Sequence, residues 1–568
     1  MEGWHMRAFV RSAVLVCLVG GLIALVSCSK GIEMQFKEFV TAHVAKLQPL
    51  EKEANLAYWQ AALSGKESDY KKYSELQLKL EQLYTSKEDF AFVKKAKESG
   101  TIRDPQLARM AQILFLRYEG NQTDSLLLKR VIDLATSVEN KFTVYRPVVG
   151  KDTLTTNDVY NILATEKNSV KRRSTWEASK GVGPVVLADL TELIKLRNEM
   201  AEKLGFPNYY TMSLTLAEQN EDDLVKLFAE LDELTREPFL AMKGELDANL
   251  ARIYGVAIED LRPWHYHDPY FQEVPQVGDI DLDRYYKGRD PVEIAKVFYA
   301  GIGMPVDDIL ARSDLFERPG KNPHAFCTDI DRMGDIRILA NMKSNSYWME
   351  TILHELGHGV YDKYIDPSLP FLLRTYPHLC VTEASAEYFG RLSQDPAWMK
   401  AALALGDEEV AKIAPVLTKS LRMKQLIFAR WCQVMFNFER ELYEHPDQDL
   451  NKLWWDIVER YQFLKRPEGR NAPDWATKIH IVTNPVYYHN YMLGELIASQ
   501  LQHTVETKVL ASSGSGANFY GNPAVGAFFR DDFYKKGDIV PWNKLIELVT
   551  GEPLTARYFA DQFVKGAR

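Results

Sequence analysis

Apolar residues recur at three- and four-residue spacing along most of the chain, the period of an amphipathic helix rather than of a strand. The pattern predicts long helices over Phe36 to Leu63, Tyr70 to Leu83, Leu187 to Leu204 and Asp222 to Leu250. Gly205, with Phe206-Pro207 behind it, supplies a C-terminal stop for the third of these. Between residues 260 and 290 the period is lost. Pro263, Pro269, Pro275 and Gly278 interrupt it, and Trp264, Tyr266, Tyr270 and Phe271 crowd in, which predicts an aromatic loop region with room for short strands. Helix resumes over Pro291 to Ala300, with Asp290 as its cap and Gly301 as its stop. His324 to Leu339 holds the best strand candidates, notably Asp335 to Leu339, and a long helix follows from about Ser346. There is no internal repeat and no long linker; Ser512 to Gly516 reads as a short loop. The chain is expected to be mainly helical with a small β element. Residues 28–565 are expected to form one large domain of two lobes rather than several small domains.

The N-terminus departs from this pattern. Arg7 and Arg11 flank the start of an apolar run from Ala13 to Val26, short for a membrane helix and right for a secretory leader. Leu25-Val26-Ser27-Cys28 resembles a bacterial lipobox. Residues 1–27 are therefore expected to be a lipoprotein signal peptide, with Met6 as an alternative start, and Cys28 to be lipidated. That predicts an exported bacterial lipoprotein, periplasmic or anchored at the outer membrane, touching the membrane only through its lipid. Of five cysteines, Cys327, Cys380 and Cys432 remain for the folded part, too few for a disulfide scaffold.

Composition narrows the classes further. With 568 residues, 46% of them hydrophobic, the chain can fill a large core, which excludes disorder over its whole length. Lys and Arg number 69 against 78 Asp and Glu, a net charge of −9 that argues against a nucleic-acid partner. The basic cluster Lys171-Arg172-Arg173 is brief and reads as solvated surface.

The strongest chemistry lies in His354-Glu355-Leu356-Gly357-His358. Residues four apart share a helix face, so His354 and His358 can both point at one zinc ion. Glu355 lies where its carboxylate can take a proton from a water beside that ion. Zinc needs a third protein ligand, and Thr382-Glu383-Ala384-Ser385-Ala386-Glu387 offers two carboxylates on one face. Spacing alone does not choose between Glu383 and Glu387; one would ligate and the other would support a histidine.

Together these stretches resemble the angiotensin-converting-enzyme family of zinc peptidyl-dipeptidases (peptidase family M2), itself related to the M3 oligopeptidases. The likeness is densest from about Asp290 to Phe563. It implies an all-α, mainly helical zincin-type metallopeptidase: two helical lobes around a deep cleft, with a small β element near the active site. It further implies one zinc per chain on His354, His358 and Glu383, Glu355 as general base, and Glu387 behind a histidine. His324-Ala325, 30 residues before His354, matches a substrate-binding histidine and an alanine whose backbone pairs with the peptide. Lys478-Ile479-His480 and Tyr487-Tyr488-His489-Asn490-Tyr491 match the family's recognition segment. In it Lys478 and Tyr488 would hold the substrate's C-terminal carboxylate, and His480 and Tyr491 would stabilise the tetrahedral intermediate. One extra residue separates Lys478 from the tyrosines, so Tyr487 competes with Tyr488. The family's carboxylate-binding glutamine has two weak candidates, Gln272 and Gln276. Where the animal enzymes place chloride-binding arginines this chain has Val458 and Asn490, so chloride is not expected.

The expected function is zinc-dependent hydrolysis of short peptides with release of C-terminal dipeptides. Two other readings stay open at this point. One is a zinc oligopeptidase or endopeptidase without a C-terminal register; the other is an inactive, peptide-binding lipoprotein.

Overall fold

Helix ends fall where the sequence offers caps. Asp104 accepts from the amides of Gln106 and Leu107, Asn220 from Asp223, Asp290 from Val292 and Glu293, and Asn345 from Trp348. The computed structural model describes residues 31–275, 281–511 and 519–564, and helices dominate them. Those that position the site are α1 (Ile32–Ser64), α2 (Pro105–Gly120), α3 (Val182–Lys203), α4 (Glu221–Tyr254), α5 (Pro291–Gly301), α6 (Ser346–Tyr364), α7 (Leu379–Gly390), α8 (Asp407–Glu444), α9 (Leu450–Gln462) and α10 (His489–Thr504).

Two small antiparallel sheets complete the described residues. One pairs β1 (Val148–Val149) with β2 (Asp152–Thr153), and the other pairs β3 (Phe326–Asp329) with β4 (Ile336–Leu339). In the second, Phe326 faces Leu339 and Asp329 faces Ile336. This is the all-α zincin-type architecture with minor β elements that the sequence implied.

The core is organised around α6. Trp348, Met349, Ile352, Leu353, Leu356, Val360 and Tyr361 are all buried, so this helix is covered on nearly every side. It packs on α5, α7, β3 and β4, and α7 packs in turn on α10. Tyr299 of α5 donates to the carbonyl of Leu353 at 2.7 Å, fixing α6 one residue before its first histidine. A single apolar cluster runs from Phe36 to Phe563, with two smaller ones beside α1.

Several expected elements shift by a few residues for local reasons. The helix expected from Asp222 starts one residue earlier, after Asn220, and runs on to Tyr254, where Gly255 closes it in a left-handed conformation. The second strand begins at Ile336 rather than Asp335, whose carboxylate instead holds the guanidinium of Arg337 at 2.8 Å. Within 260–290 the described residues form short 3-10 turns and the helix Asp283–Tyr286, and no strand. The first hairpin was not expected, because strands of two residues are too short to carry an alternation. Ser512 to Gly516, Gln276 and the leader with Cys28 lie outside the described residues. Cys327, Cys380 and Cys432 are free thiols.

Candidate functional site

The two histidines stand one turn apart on α6, their rings 5.0 Å between centroids and nearly perpendicular. Gly357 between them faces α7. A Cβ there would stand 2.8 Å from the Cα of Ala386 and 3.0 Å from the carbonyl of Ser385, so only glycine lets the two helices meet. Ser385 seals the contact, its hydroxyl donating to the carbonyl of Gly357 at 2.8 Å. This approach brings Glu383 to the histidines. Its Oε2 lies 3.8 Å from Nε2 of His354 and 3.9 Å from Nε2 of His358.

Those separations are too long for hydrogen bonds and suit a shared ion. Donors bound at zinc's usual distances in a tetrahedron stand about 3.3–3.6 Å apart. The group His354, His358 and Glu383 brings one ligand atom from each within 4.8 Å of the others, and could hold a metal ion. Nδ1 of His358 hydrogen-bonds to Oγ1 of Thr382 at 2.8 Å. With Nδ1 carrying the proton toward this hydroxyl, the lone pair of Nε2 is left facing the group. Glu387 sits on the other side of His354, 3.7 Å from Nδ1. The geometry thus separates two carboxylates that spacing could not. Glu441, Glu444 and His445 also bring ligand atoms together, largely at the surface.

Burial depresses His358 well below the usual imidazole range. Burial acts on His354 too, but the carboxylates of Glu387, Glu355, Glu383 and Glu350 outweigh it and raise this ring. Burial pushes Glu383 up to about 7, with His354 opposing. Glu355 is raised by burial, while His354 and the backbone amide of Cys327 favour its charged form.

The group opens into a cavity of about 1080 Å³. One wall is α1 and α2, contributing Leu47, Glu51 and Leu114; the other is α6, with His354, Glu355 and His358. Ala325 lies on its wall at the entry to β3. His324, one residue earlier, is exposed, takes its backbone partner from Asn322, and is not among the residues lining the cavity.

A second cluster surrounds Lys478. Its ammonium is buried and sits 4.9 Å from the ring centroid of Tyr270, 5.1 Å from that of Trp431 and 5.2 Å from that of Tyr488. It donates to Oε1 of Gln272 at 2.8 Å, while Gln276 lies outside the described residues. The Trp431 indole donates to the Tyr488 hydroxyl at 2.7 Å. His480 stacks edge-on against Tyr488, and Nδ1 of His480 is buried without a hydrogen-bond partner. Burial and the neighbouring ammonium hold His480 down at about 4. Burial brings Lys478 down to about 8, while Asp268 favours its charged form.

Tyr491 joins the two clusters. Its ring packs against both Tyr487 and Tyr488, each at 5.3 Å, and its ionisation is opposed by burial and by the charge of Glu383. The link depends on Gly494, where a Cβ would stand 3.2 Å from that of Glu383, so α10 lies directly on α7. Tyr488 turns toward Lys478, and Tyr487 toward the Glu383 side. Arg197 fixes the segment between, donating to the carbonyls of Ile481 at 2.8 Å and Val482 at 2.6 Å. Thr382, Trp431 and Tyr270 were missed by sequence reasoning; nothing in their local pattern distinguishes them from core residues.

A helical shell with an HExxH metal group on its central helix defines a protein of the zincin type. More specifically, the Peptidase M2 family, angiotensin-converting enzyme, matches over residues 272–563, and the chain belongs to it. The chain is 21% identical to the mouse angiotensin-converting enzyme-like protein Ace3, over 70% of this chain and 57% of that protein. It is 22% identical to pig angiotensin-converting enzyme, over 70% of this chain and 32% of the pig protein. A leech angiotensin-converting enzyme matches at 21% identity over 52% of this chain and 50% of its own length. The chain thus spans little more than half, or less, of these relatives.

These relatives correct one expectation. They are animal proteins, which argues against the bacterial periplasmic or outer-membrane lipoprotein read from the leader. Among the described residues no helix is long and apolar enough to cross a membrane. Cys28 and the apolar run that suggested a lipid anchor lie outside the described residues, so nothing in the structure supports that anchor.

Proposed function

We propose that this protein is a zinc peptidase that releases dipeptides from the free C-termini of short peptides. The observation that carries this is the convergence of His354, His358 and Glu383 on one point of a large cavity, with Glu355 beside them. Zinc, when bound there, supplies a Lewis acid for the scissile carbonyl and for a water. Glu355 takes the proton from the attacking water and returns it to the leaving amine. The unpartnered Nδ1 of His480 and the phenol of Tyr491 donate to the oxygen that gains charge. Ala325, on the cavity wall, pairs its backbone with the peptide, and His324, exposed one residue earlier, adds a contact to the substrate.

Lys478, Tyr488 and Gln272 hold the terminal carboxylate and so set the cut two residues in. A buried ammonium in an aromatic box, with one neutral amide as its partner, is suited to a carboxylate that arrives with the substrate. Chloride has no role in this reading. Asn490 is buried and its Oδ1 accepts from Gln219 at 2.7 Å, and Val458 is buried and apolar. Equal turnover with and without added chloride is the expected result, and a many-fold rise would refute it.

The test is product mass spectrometry with one free-acid decapeptide and its C-terminally amidated twin. Sequential loss of dipeptides from the acid alone is expected. Internal cuts in both would leave the metal group in place and make the protein an oligopeptidase. A zinc content near zero, with no cleavage of either, would point to an inactive peptide binder.

A further inference from the structure

The segment that carries Gln272 is held in an unfavourable backbone shape. His267 and Phe271 both have positive φ, 69° and 51°, a region costly for residues with side chains. Three sets of bonds impose it. The buried carboxylate of Asp268 accepts from the amides of Tyr270 at 2.7 Å, Gln272 at 3.1 Å and Glu273 at 3.2 Å. The side-chain amide of Gln462, at the end of α9, donates to the carbonyls of Tyr270 at 3.0 Å and Phe271 at 2.8 Å. The Trp176 indole donates to the carbonyl of Pro269 at 3.1 Å.

The folded segment grips Lys478 twice. Gln272 accepts from its ammonium, and Tyr270 lies under that ammonium while its hydroxyl donates to the carbonyl of Thr477, the residue before it, at 2.7 Å. Among the described residues Asp268 forms no ion pair; its bonds go to backbone amides, and its charge favours the protonated form of Lys478 and of Lys180 from a distance. A buried carboxylate spent on its own loop, next to strained backbone, is expected where the loop must hold one shape.

We propose that Asp268 is a positioning residue for recognition of the substrate's free C-terminal carboxylate, acting by folding residues 268–273 so that Gln272 and Tyr270 fix Lys478. This rests on the carboxylate-clamp reading above, and it makes the aromatic segment, rather than the metal helix, the origin of the preference for free-acid peptides.

The experiment compares wild type, Asp268→Ala, Asp268→Asn, Gln272→Leu and the Asp268→Ala/Gln272→Leu double variant, all zinc-loaded, on the acid and amide decapeptides. Amide hydrogen exchange of the 268–273 segment is followed in parallel. For Asp268→Ala the expected KM for the free acid rises about tenfold, the scale of one charge-assisted hydrogen bond, with kcat within twofold. The Asn variant, which keeps an acceptor, falls between. The double variant is no worse than Gln272→Leu alone, and exchange accelerates in this segment but not in α6. Unchanged KM in Asp268→Ala against a wild type that prefers the acid would overturn the inference and leave the clamp standing. Equal losses on acid and amide would show a merely structural role and overturn it as well. A wild type that cuts both peptides alike overturns the clamp reading itself, and the inference with it. Should Asp268→Ala fail to fold, the Asn variant and its exchange pattern decide.

Discussion

The candidate metal group and the Lys478 cluster are linked by Tyr491, which packs on Tyr488 of the second and feels the charge of Glu383 of the first, yet they are built in opposite ways. The metal group comes from two successive helices, α6 and α7. Four of its residues, His354, Glu355, His358 and Glu383, sit within thirty positions, and one glycine contact brings the helices to the required distance. The clamp draws Gln272 and Tyr270 from an irregular segment, Trp431 from the middle of α8, and Lys478 and Tyr488 from short turns. Regular helices can fix ligand geometry by their period alone. Irregular backbone can do so only when side chains such as Asp268, Gln462 and Arg197 pin it. The first kind of site is set by local geometry; under the proposed function, the second is the one that would read the substrate.

Separating the two is the most direct test of this comparison. Glu355→Gln is expected to lower kcat by about 10²–10⁴-fold while zinc stays bound and KM changes little, read from steady-state kinetics and metal analysis. A fully active, zinc-loaded variant would remove Glu355 from the chemistry. Thr382→Val should act on the metal alone. Losing the partner of His358 is expected to weaken zinc affinity about 10–100-fold, measured by competition with a chelator, with full activity restored at saturating zinc.

Lys478→Met should act on the clamp alone. KM for free-acid peptides is expected to rise about tenfold or more, as for loss of a hydrogen bond to a charged group, with kcat and zinc content unchanged. The pH profile sharpens this. Burial brings Lys478 down to about 8, so its positive charge is present below that pH and lost above it. Accordingly kcat/KM for the free acid should fall as pH rises through about 8, and that limb should vanish in Lys478→Met. Gly357→Ala is the gentlest change. The added methyl must push α6 and α7 apart, costing about 1–3 kcal/mol, visible as a lower Tm before any loss of substrate preference.

The same contrast explains what was legible in the sequence. His354 and His358 could be placed on one face, with Glu355 one residue along, because a helix repeats on a known period, and the helices themselves were visible in their apolar spacing. The choice between Glu383 and Glu387 was not visible, since both lie on one face of α7. It was settled by which carboxylate meets the two Nε2 atoms across the Gly357 contact. His324 was expected with the substrate and is found exposed at the entry to β3, because Asn322 caps its backbone there and Ala325 takes the place on the cavity wall. Gln272 was one candidate of two, since loop residues carry no periodicity; only the tertiary structure shows its contact with Lys478, 206 positions along the chain.

The sequence by itself determined the helical class, the caps, and the spacing of the two candidate metal-ligating histidines with Glu355 between them. These depend on residues a few positions apart, whose interactions the helical period dictates. Only the tertiary structure decided which carboxylate faces the metal group, which tyrosine meets Lys478, and how Asp268 bends its own loop to present Gln272. Those outcomes depend on contacts between different elements, from Glu383 across to the helix of the two histidines to Gln272 on Lys478 206 positions away, and what fixes them is close packing at single glycines and hydrogen bonds to buried backbone.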